Sequence, residues 1–183
     1  MRAAGPARGA AMTVRIPTAD DLEGLMRLNA AYHVDRLSEA QSRRGYLGKV
    51  YTADELAYLT AREHVVIAED GGHVVGYYLI GRKEDPDTAF YLRNPGLTLA
   101  DDAGRPLAHV AYPTQVCIDE AYRGRGLFGR MLHVLAGAAA SRYTEILCSV
   151  SERNPVSLRA HVNAGWEPVN TFEGRTFFRF PLA

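Results

Sequence analysis

The stretch Ala121 to Leu132, AYRGRGLFGRML, carries residue types and spacing that could do chemistry. Arg123, Gly124, Arg125 and Gly126 stand between a strand-like apolar run, QVCI, and a helix-like run. In that helix Leu127, Phe128, Met131, Leu132 and Leu135 share one face. The first N–H groups of a helix have no intrahelical partner and carry the positive end of its dipole. Glycines there keep side chains away from the backbone. The first N–H groups of this helix, with Gly124 and Gly126 beside them and the Arg123 and Arg125 guanidiniums nearby, would suit a phosphate or pyrophosphate. A tight turn with solvated arginines is the alternative, and these residues alone leave both open. Arg-Gly runs also bind nucleic acid. Here 21 Lys and Arg balance 21 Asp and Glu, giving a formal net charge of +0, which argues against that role and against nucleic acid as a partner.

Two further polar residues follow at informative spacing. Asn154-Pro155 reads as a helix start, with Asn as cap and Pro in the first turn. Gly165 reads as its end. His161 lies between them and is expected to point inward with Leu158 and Val162. An inward histidine is most often a core residue; an imidazolium near neutral pH can also act as a general acid.

The run R-G-R-G-L-F-G after an apolar strand, then a helix, the strand EILCSV and N-P-V-S-L-R-A-H-V-N-A-G-W, resembles the GNAT superfamily of acyl-CoA-dependent N-acetyltransferases. The family signature is Arg or Gln, two residues, Gly, one residue, then Gly or Ala. Arg123 and Gly126 match; Phe128 departs from it, and its side chain must turn away from the phosphates. The resemblance follows element order from about Thr13 to Leu182 and is motif-specific from about Gln115 to Trp166.

The resemblance implies an enzyme moving acetyl from acetyl-CoA, as co-substrate, to a primary amine by direct attack. The cofactor's pyrophosphate would meet Arg123, Gly124, Arg125, Gly126, Leu127, Phe128 and Gly129. Its pantetheine would wedge between QVCI and EILCSV, against Val116, Cys117 and Ile118, with Asn154 nearby. A bulge in the first strand would free backbone donors for the thioester carbonyl. His161 stands where the family usually has a Tyr that protonates the departing thiolate. No acid stands where family members carry a base: Ser149 occupies one such position, and His109 and Tyr112 are the titratable residues at the other. The missing base keeps open a non-catalytic acyl-CoA sensor of the same fold. The acceptor, a small-molecule or peptide amine, would be held by His33 to Tyr51, Glu84 to Ala108 and the terminal hairpin. Tyr32, Tyr46, Tyr51 and Tyr91 fall in these parts, with the acids Glu84, Asp85, Asp87, Asp101 and Asp102.

These groups need elements to position them. TVRI reads as a strand, and Thr18 as the cap of a helix fading near Arg36. Leu37 to Val50 reads as a loop or broken helix, and the capping box Thr52 to Glu55 opens a helix over about 53 to 62. HVVIAE and HVVGYYLIGR flank Asp70-Gly71-Gly72, a hairpin signal. Leu97–Ala100 and Leu107–Tyr112 read as short strands inside an otherwise irregular connection. AHVAYPTQVCI reads as one strand, EILCSV as a central one, and WEPVNTF with RTFFRFPL as a terminal hairpin. The fold class is α/β: a mixed, mostly antiparallel sheet of about seven strands with a splayed parallel central pair and about four helices.

The chain has 183 residues, 47% hydrophobic and 23% charged, in keeping with one domain and a real core. Patterned sequence begins at Met12, so 1–11 is expected to be a disordered tail and 12–183 a single N-acetyltransferase domain. Cys117 and Cys148, the two cysteines, make no disulfide framework and no metal site. They suit a reducing, cytoplasmic setting, with no membrane partner. Phe172, Phe177, Phe178 and Phe180 in the terminal hairpin are candidates for continuing the sheet into a homodimer.

Overall fold

A strand broken by proline organises the molecule. The computed structural model describes residues 12–182; the expected tail, 1–11, lies outside the described residues. In chain order the elements are β1 (Thr13–Arg15), α1 (Leu22–Ala31), α2 (Glu39–Ser42), α3 (Ala53–Thr60), β2 (Val65–Asp70) and β3 (His73–Ile80). Then come α4 (Ala89–Arg93), β4 (Val110–Ala111), β5 (Thr114–Ile118), α5 (Leu127–Ala139), β6 (Glu145–Ser151), α6 (Pro155–Asn163), β7 (Glu167–Phe172) and β8 (Arg175–Pro181).

The run expected as one strand is two. β4 pairs in parallel with β6, Val110 opposite Glu145 and Ala111 opposite Ile146. β5 pairs antiparallel with β3, from Gly76 opposite Ile118 to Ile80 opposite Thr114. Between them Pro113, which follows a cis bond, has no N–H to donate. Two four-stranded half-sheets result, ordered β1-β2-β3-β5 and β4-β6-β8-β7. β5 and β6 diverge from the break, so the parallel pairing expected along QVCI is confined to two residues of β4. This break also makes eight strands of the expected seven. α1, α3, α5 and α6 are the four expected helices; α2 and α4 are single turns.

Local chemistry explains most boundaries. Asp21 accepts the Thr18 N–H at 2.7 Å and its hydroxyl at 3.1 Å, holding a 3-10 turn ahead of α1. Thr52 Oγ1 accepts from Glu55 N (3.2 Å) and Glu55 Oε2 accepts from Thr52 N (2.7 Å), so the capping box opens α3. The β2–β3 and β7–β8 turns are two residues long, Gly71-Gly72 and Glu173-Gly174, all at positive φ. That geometry matches the twist of an antiparallel pair.

Alternation in the strands covers both faces. On one face Val66, Ala68, Val75, Tyr78, Ile146, Cys148 and Phe178 form a continuous cluster with Leu127, Met131, Leu132 and Leu135 of α5, which lies mainly over β1, β2, β3 and β5. On the opposite face Val65, Ile67, Tyr77 and Leu79 pack on α1 and α3. There the connection after β3 buries Tyr91 and Leu99 against Tyr112, Leu147 and Phe177. Leu97–Ala100 is not a strand: one bridge, Ala100 to Pro106, is all that forms. β8 is interior to its half-sheet, and Phe177 and Phe178 are buried. Those rings fill the core of this chain, and the strands at the edges of this half-sheet are β7 and the two-residue β4.

Candidate active site

The gap between β5 and β6 holds two cavities that meet. One, a cleft of about 490 Å³, is lined by the end of β5, the glycine turn, the start of α5 and one side of α6. The other, about 220 Å³, lies across the gap against β6, β8 and the connection after β3. Tyr46, Leu47, Val116, Asn154 and Ser157 line both, so these five residues form the passage between them.

The cleft has the expected donors. α5 has Gly126 as N-cap, at φ +73°, and no side chain caps it. Gly124 is also left-handed, at φ +74°. A Cβ built at Gly124, Gly126 or Gly129 would meet nothing within 4 Å. The early N–H groups of a 13-residue helix therefore open on free space in the cleft. β5 is the edge of its half-sheet, so the backbone groups of Val116 to Ile118 that turn from β3 face the gap. Phe128 turns its ring edge against Tyr78 and His161, with centroids 5.4 and 5.0 Å apart, and so lies on the inner wall.

The arginines divide their work. Arg123 lines the cleft, donates from Nε to Ile118 O (2.9 Å) and from Nη1 to Arg44 O, and lies 5.2 Å from the Tyr32 ring. It straps the end of β5 to the 44–47 segment that roofs the cleft. The Arg125 side chain turns back, donating to Ala121 O at 3.0 Å over the Tyr122 ring, and does not line the cleft. Cys117 lines the cleft from within the core, and burial pushes its thiol up to about 12, so it is no nucleophile at neutral pH.

Asn154 acts as cap and tether together. Its Oδ1 accepts from Ser157 N at 3.2 Å, and its Nδ2 donates to Tyr46 O at 3.3 Å. His161 points inward as expected, whereas Val162 is 56% exposed on the outer face. The imidazole lies among Phe128, Trp166 and Phe178 and donates from Nδ1 to Ser157 O at 2.8 Å. Burial lowers its pKa to about 4. At neutral pH the ring is neutral, with Nδ1–H engaged by Ser157 O and the residue lining the second cavity. The imidazolium anticipated as general acid is therefore not its resting form, because nothing anionic offsets the desolvation.

The second cavity gathers parts that sequence scattered. Tyr46, Tyr51 and Tyr91 line it, with Gln115, Ser149 and Arg175. Tyr32 lies in the cleft instead, its hydroxyl accepting from Glu120 N at 2.7 Å. Of the five acids considered, Asp85 lines the cavity, held by Lys49 at 2.6 Å. Asp101 is taken up in its own turn by Arg105. Glu84 faces a different hollow, Asp102 is exposed, and the Asp87 side chain lies outside the described part. His109 is exposed and Tyr112 is stacked in the core, so neither reaches the gap. Arg175 and Lys49 were not foreseen. Arg175 follows the terminal turn and reads as an ordinary hairpin charge; only its register opposite Ser151 brings it to β6.

The acetyltransferase (GNAT) family model matches residues 25–166, most of the chain, and the protein belongs to that family. No curated protein matches it in sequence. Among solved structures it is similar to yncA from Salmonella typhimurium, determined with its cofactor acetyl-CoA. The two share 22% identity at a TM-score of 0.61, covering 94% of this chain and 95% of that one. A phosphinothricin acetyltransferase from Sinorhizobium meliloti in complex with acetyl-CoA shares 17% identity at a TM-score of 0.59, over 94% and 89% of the two chains. A ribosomal-protein-alanine N-acetyltransferase from Brucella melitensis shares 19% identity at a TM-score of 0.59, over 93% and 99%. Those two names carry different acceptors, so the common fold does not choose one. Among the described residues no helix is long and apolar enough to cross a membrane.

Proposed function

We propose that this protein transfers an acetyl group from acetyl-CoA to a primary amine by direct attack. The observation that carries it is the uncapped N-terminus of α5, open on a cleft that meets a second cavity at the β5–β6 gap. The residues fit the co-substrate: three glycines leave room where a Cβ would stand, and the cleft is of a size for a cofactor arm. The N–H groups from Gly124 to Gly129 would hold the pyrophosphate. The free edge of β5 would pair with the pantetheine and offer N–H groups to the thioester carbonyl. When bound, acetyl-CoA supplies an acetyl group activated as a thioester, which the amine nitrogen takes while CoA leaves as the thiol. The acetyl-CoA complexes of two similar structures support this reading.

One observation favours a second reading. The carboxylate lining the acceptor cavity, Asp85, is ion-paired to Lys49, so among the described residues no free carboxylate stands ready as a base. A non-catalytic acyl-CoA sensor would need none. CoA release from acetyl-CoA, measured against a panel of amines, separates the two. Turnover on any amine supports transfer; tight acetyl-CoA binding with no turnover supports the sensor.

Calorimetric titration tests the cradle itself. Gly126→Val should weaken acetyl-CoA binding, but it also strains a residue at φ +73°. Gly129 has ordinary helical φ and open space at Cβ, so Gly129→Leu adds bulk in the cleft without backbone strain. Affinity should fall at least about tenfold, with the melting temperature held or raised by the better helix former. Wild-type affinity in a folded Gly129→Leu protein would remove the phosphate from this turn.

A further inference from the structure

We infer that the acceptor is a small amine that also carries a carboxylate, and that Arg175 holds that carboxylate. The inference rests on the acetyl-transfer reading and names the substrate class of the same site.

Arg175 enters the 220 Å³ cavity from β8. Its Nε donates to Ser149 Oγ at 3.0 Å and its Nη2 to Ser149 O at 2.8 Å. Its guanidinium lies 5.2 Å from the centre of the Phe90 ring. Three contacts therefore fix the plane of the group on an interior wall. They engage the Nε–Nη2 edge and leave the Nη1–Nη2 edge, a matched pair of donors for a two-oxygen anion. No carboxylate of the described residues pairs with it. The other charged groups lining this cavity, Lys49 and Asp85, lie 2.6 Å apart and offset each other. Arg175 is thus the cavity charge left without a counter-charge, and it is held still rather than free to seek one in solvent. Lys would not substitute: it has neither the planar fork nor the ring stacking.

The size of the cavity limits the rest of the molecule. About 220 Å³ lies below the roughly 300–1,000 Å³ of sites for drug-sized ligands. The same cavity includes Val116, Asn154 and Ser157 at the passage to the cleft. An acceptor with its carboxylate on Arg175 and its nitrogen at that passage must fit within this small volume, which calls for a compact molecule carrying both groups. An amino acid has that size and both groups.

Matched substrates test this. Each of a set of L-amino acids is compared with its primary amide and its decarboxylated amine, with acetyl-CoA saturating and CoA release measured. The acid should exceed both neutral counterparts at least about tenfold in kcat/KM. Arg175→Gln keeps a donor for Ser149 and removes the charge. It should raise KM for the acid at least about tenfold, erase the preference and leave the KM for acetyl-CoA unchanged. Arg175→Lys should recover little. Calorimetry on CoA-saturated protein reads the subsite without turnover: N-acetyl-amino acids should bind wild type and fail to bind Arg175→Gln, while their amides bind neither. Melting curves show that each variant is folded. Equal use or equal binding of acid and amide by wild type overturns the inference, as does turnover confined to amines without an anion. Absence of turnover with anion-selective binding intact would count against acetyl transfer and leave the carboxylate subsite standing.

Discussion

At the scale of the residue, His161 shows how environment decides a role. Sequence places an imidazole where a proton donor is expected, and the structure surrounds it with Phe128, Trp166 and Phe178. The residue is 3% exposed and its pKa is lowered from 6.5 to about 4 by burial. A group held neutral in the folded state but free to protonate when unfolded destabilises the fold in acid. Its contribution is intact above pH 6.5 and is lost as pH falls from 6.5 to about 4. At about 1.4 kcal/mol per unit the loss is on the order of 3 kcal/mol. His161→Phe should therefore flatten the fall in melting temperature across that window. It should also keep kcat within a few-fold, since no imidazolium is present to be lost. His161→Ala should melt lower than both through the cavity it leaves. A folded Phe variant with kcat down by about 10² would restore the histidine as proton donor. The glycines, by contrast, were legible as a turn that keeps side chains off the backbone. The open space at Gly124 and Gly126 agrees, with φ +74° and +73° as a further reason for glycine at both.

At the scale of the element, the hairpins, the capping box and the α5 and α6 boundaries follow from local rules and could be read in the chain. The break between β4 and β5 could not. AHVAYPTQVCI satisfies strand propensity throughout, and only pairing with β6 on one side and β3 on the other shows that it divides at Pro113. The acceptor cavity was hidden for the same reason: Lys49, Asp85, Ser149 and Arg175 come from four distant segments. Asn154 ties two such segments and allows its two bonds to be tested apart. Asn154→Asp keeps the oxygen that caps α6 and loses the donor to Tyr46 O. It should leave the melting temperature nearly unchanged and weaken acetyl-CoA binding, because the 44–47 roof is released. Asn154→Ala loses both, and the missing cap costs about 1 kcal/mol. Equal melting losses in the two variants would show that the tether, not the cap, stabilises α6.

At the scale of the whole molecule, two half-sheets that diverge beyond one short parallel pair are held together mainly from one face. Met131, Leu132 and Leu135 of α5 belong to one continuous buried cluster with Val66, Val75 and Tyr78 of one half and Ile146, Cys148 and Val150 of the other. The opposite face has two separate clusters, one beneath each half, with the cavities opening between them. A ligand in the cleft would touch both halves, β5 and the turn on one side and α6 on the other. It should therefore stabilise the fold as a unit. Saturation at 100 times the dissociation constant adds about 2.7 kcal/mol. For a chain of this length each kcal/mol raises the melting temperature by about 2–4 °C. Acetyl-CoA should raise a single melting transition by about 5–10 °C. Gly129→Leu should lose about half of that rise or more at the same ligand concentration, and Arg175→Gln should keep it, since Arg175 lies outside the cleft. Differential scanning calorimetry measures all three. Two resolved transitions, with only one of them moved by acetyl-CoA, would mean that the shared core on the α5 face does not join the halves into one cooperative unit and that the ligand stabilises a half-sheet alone.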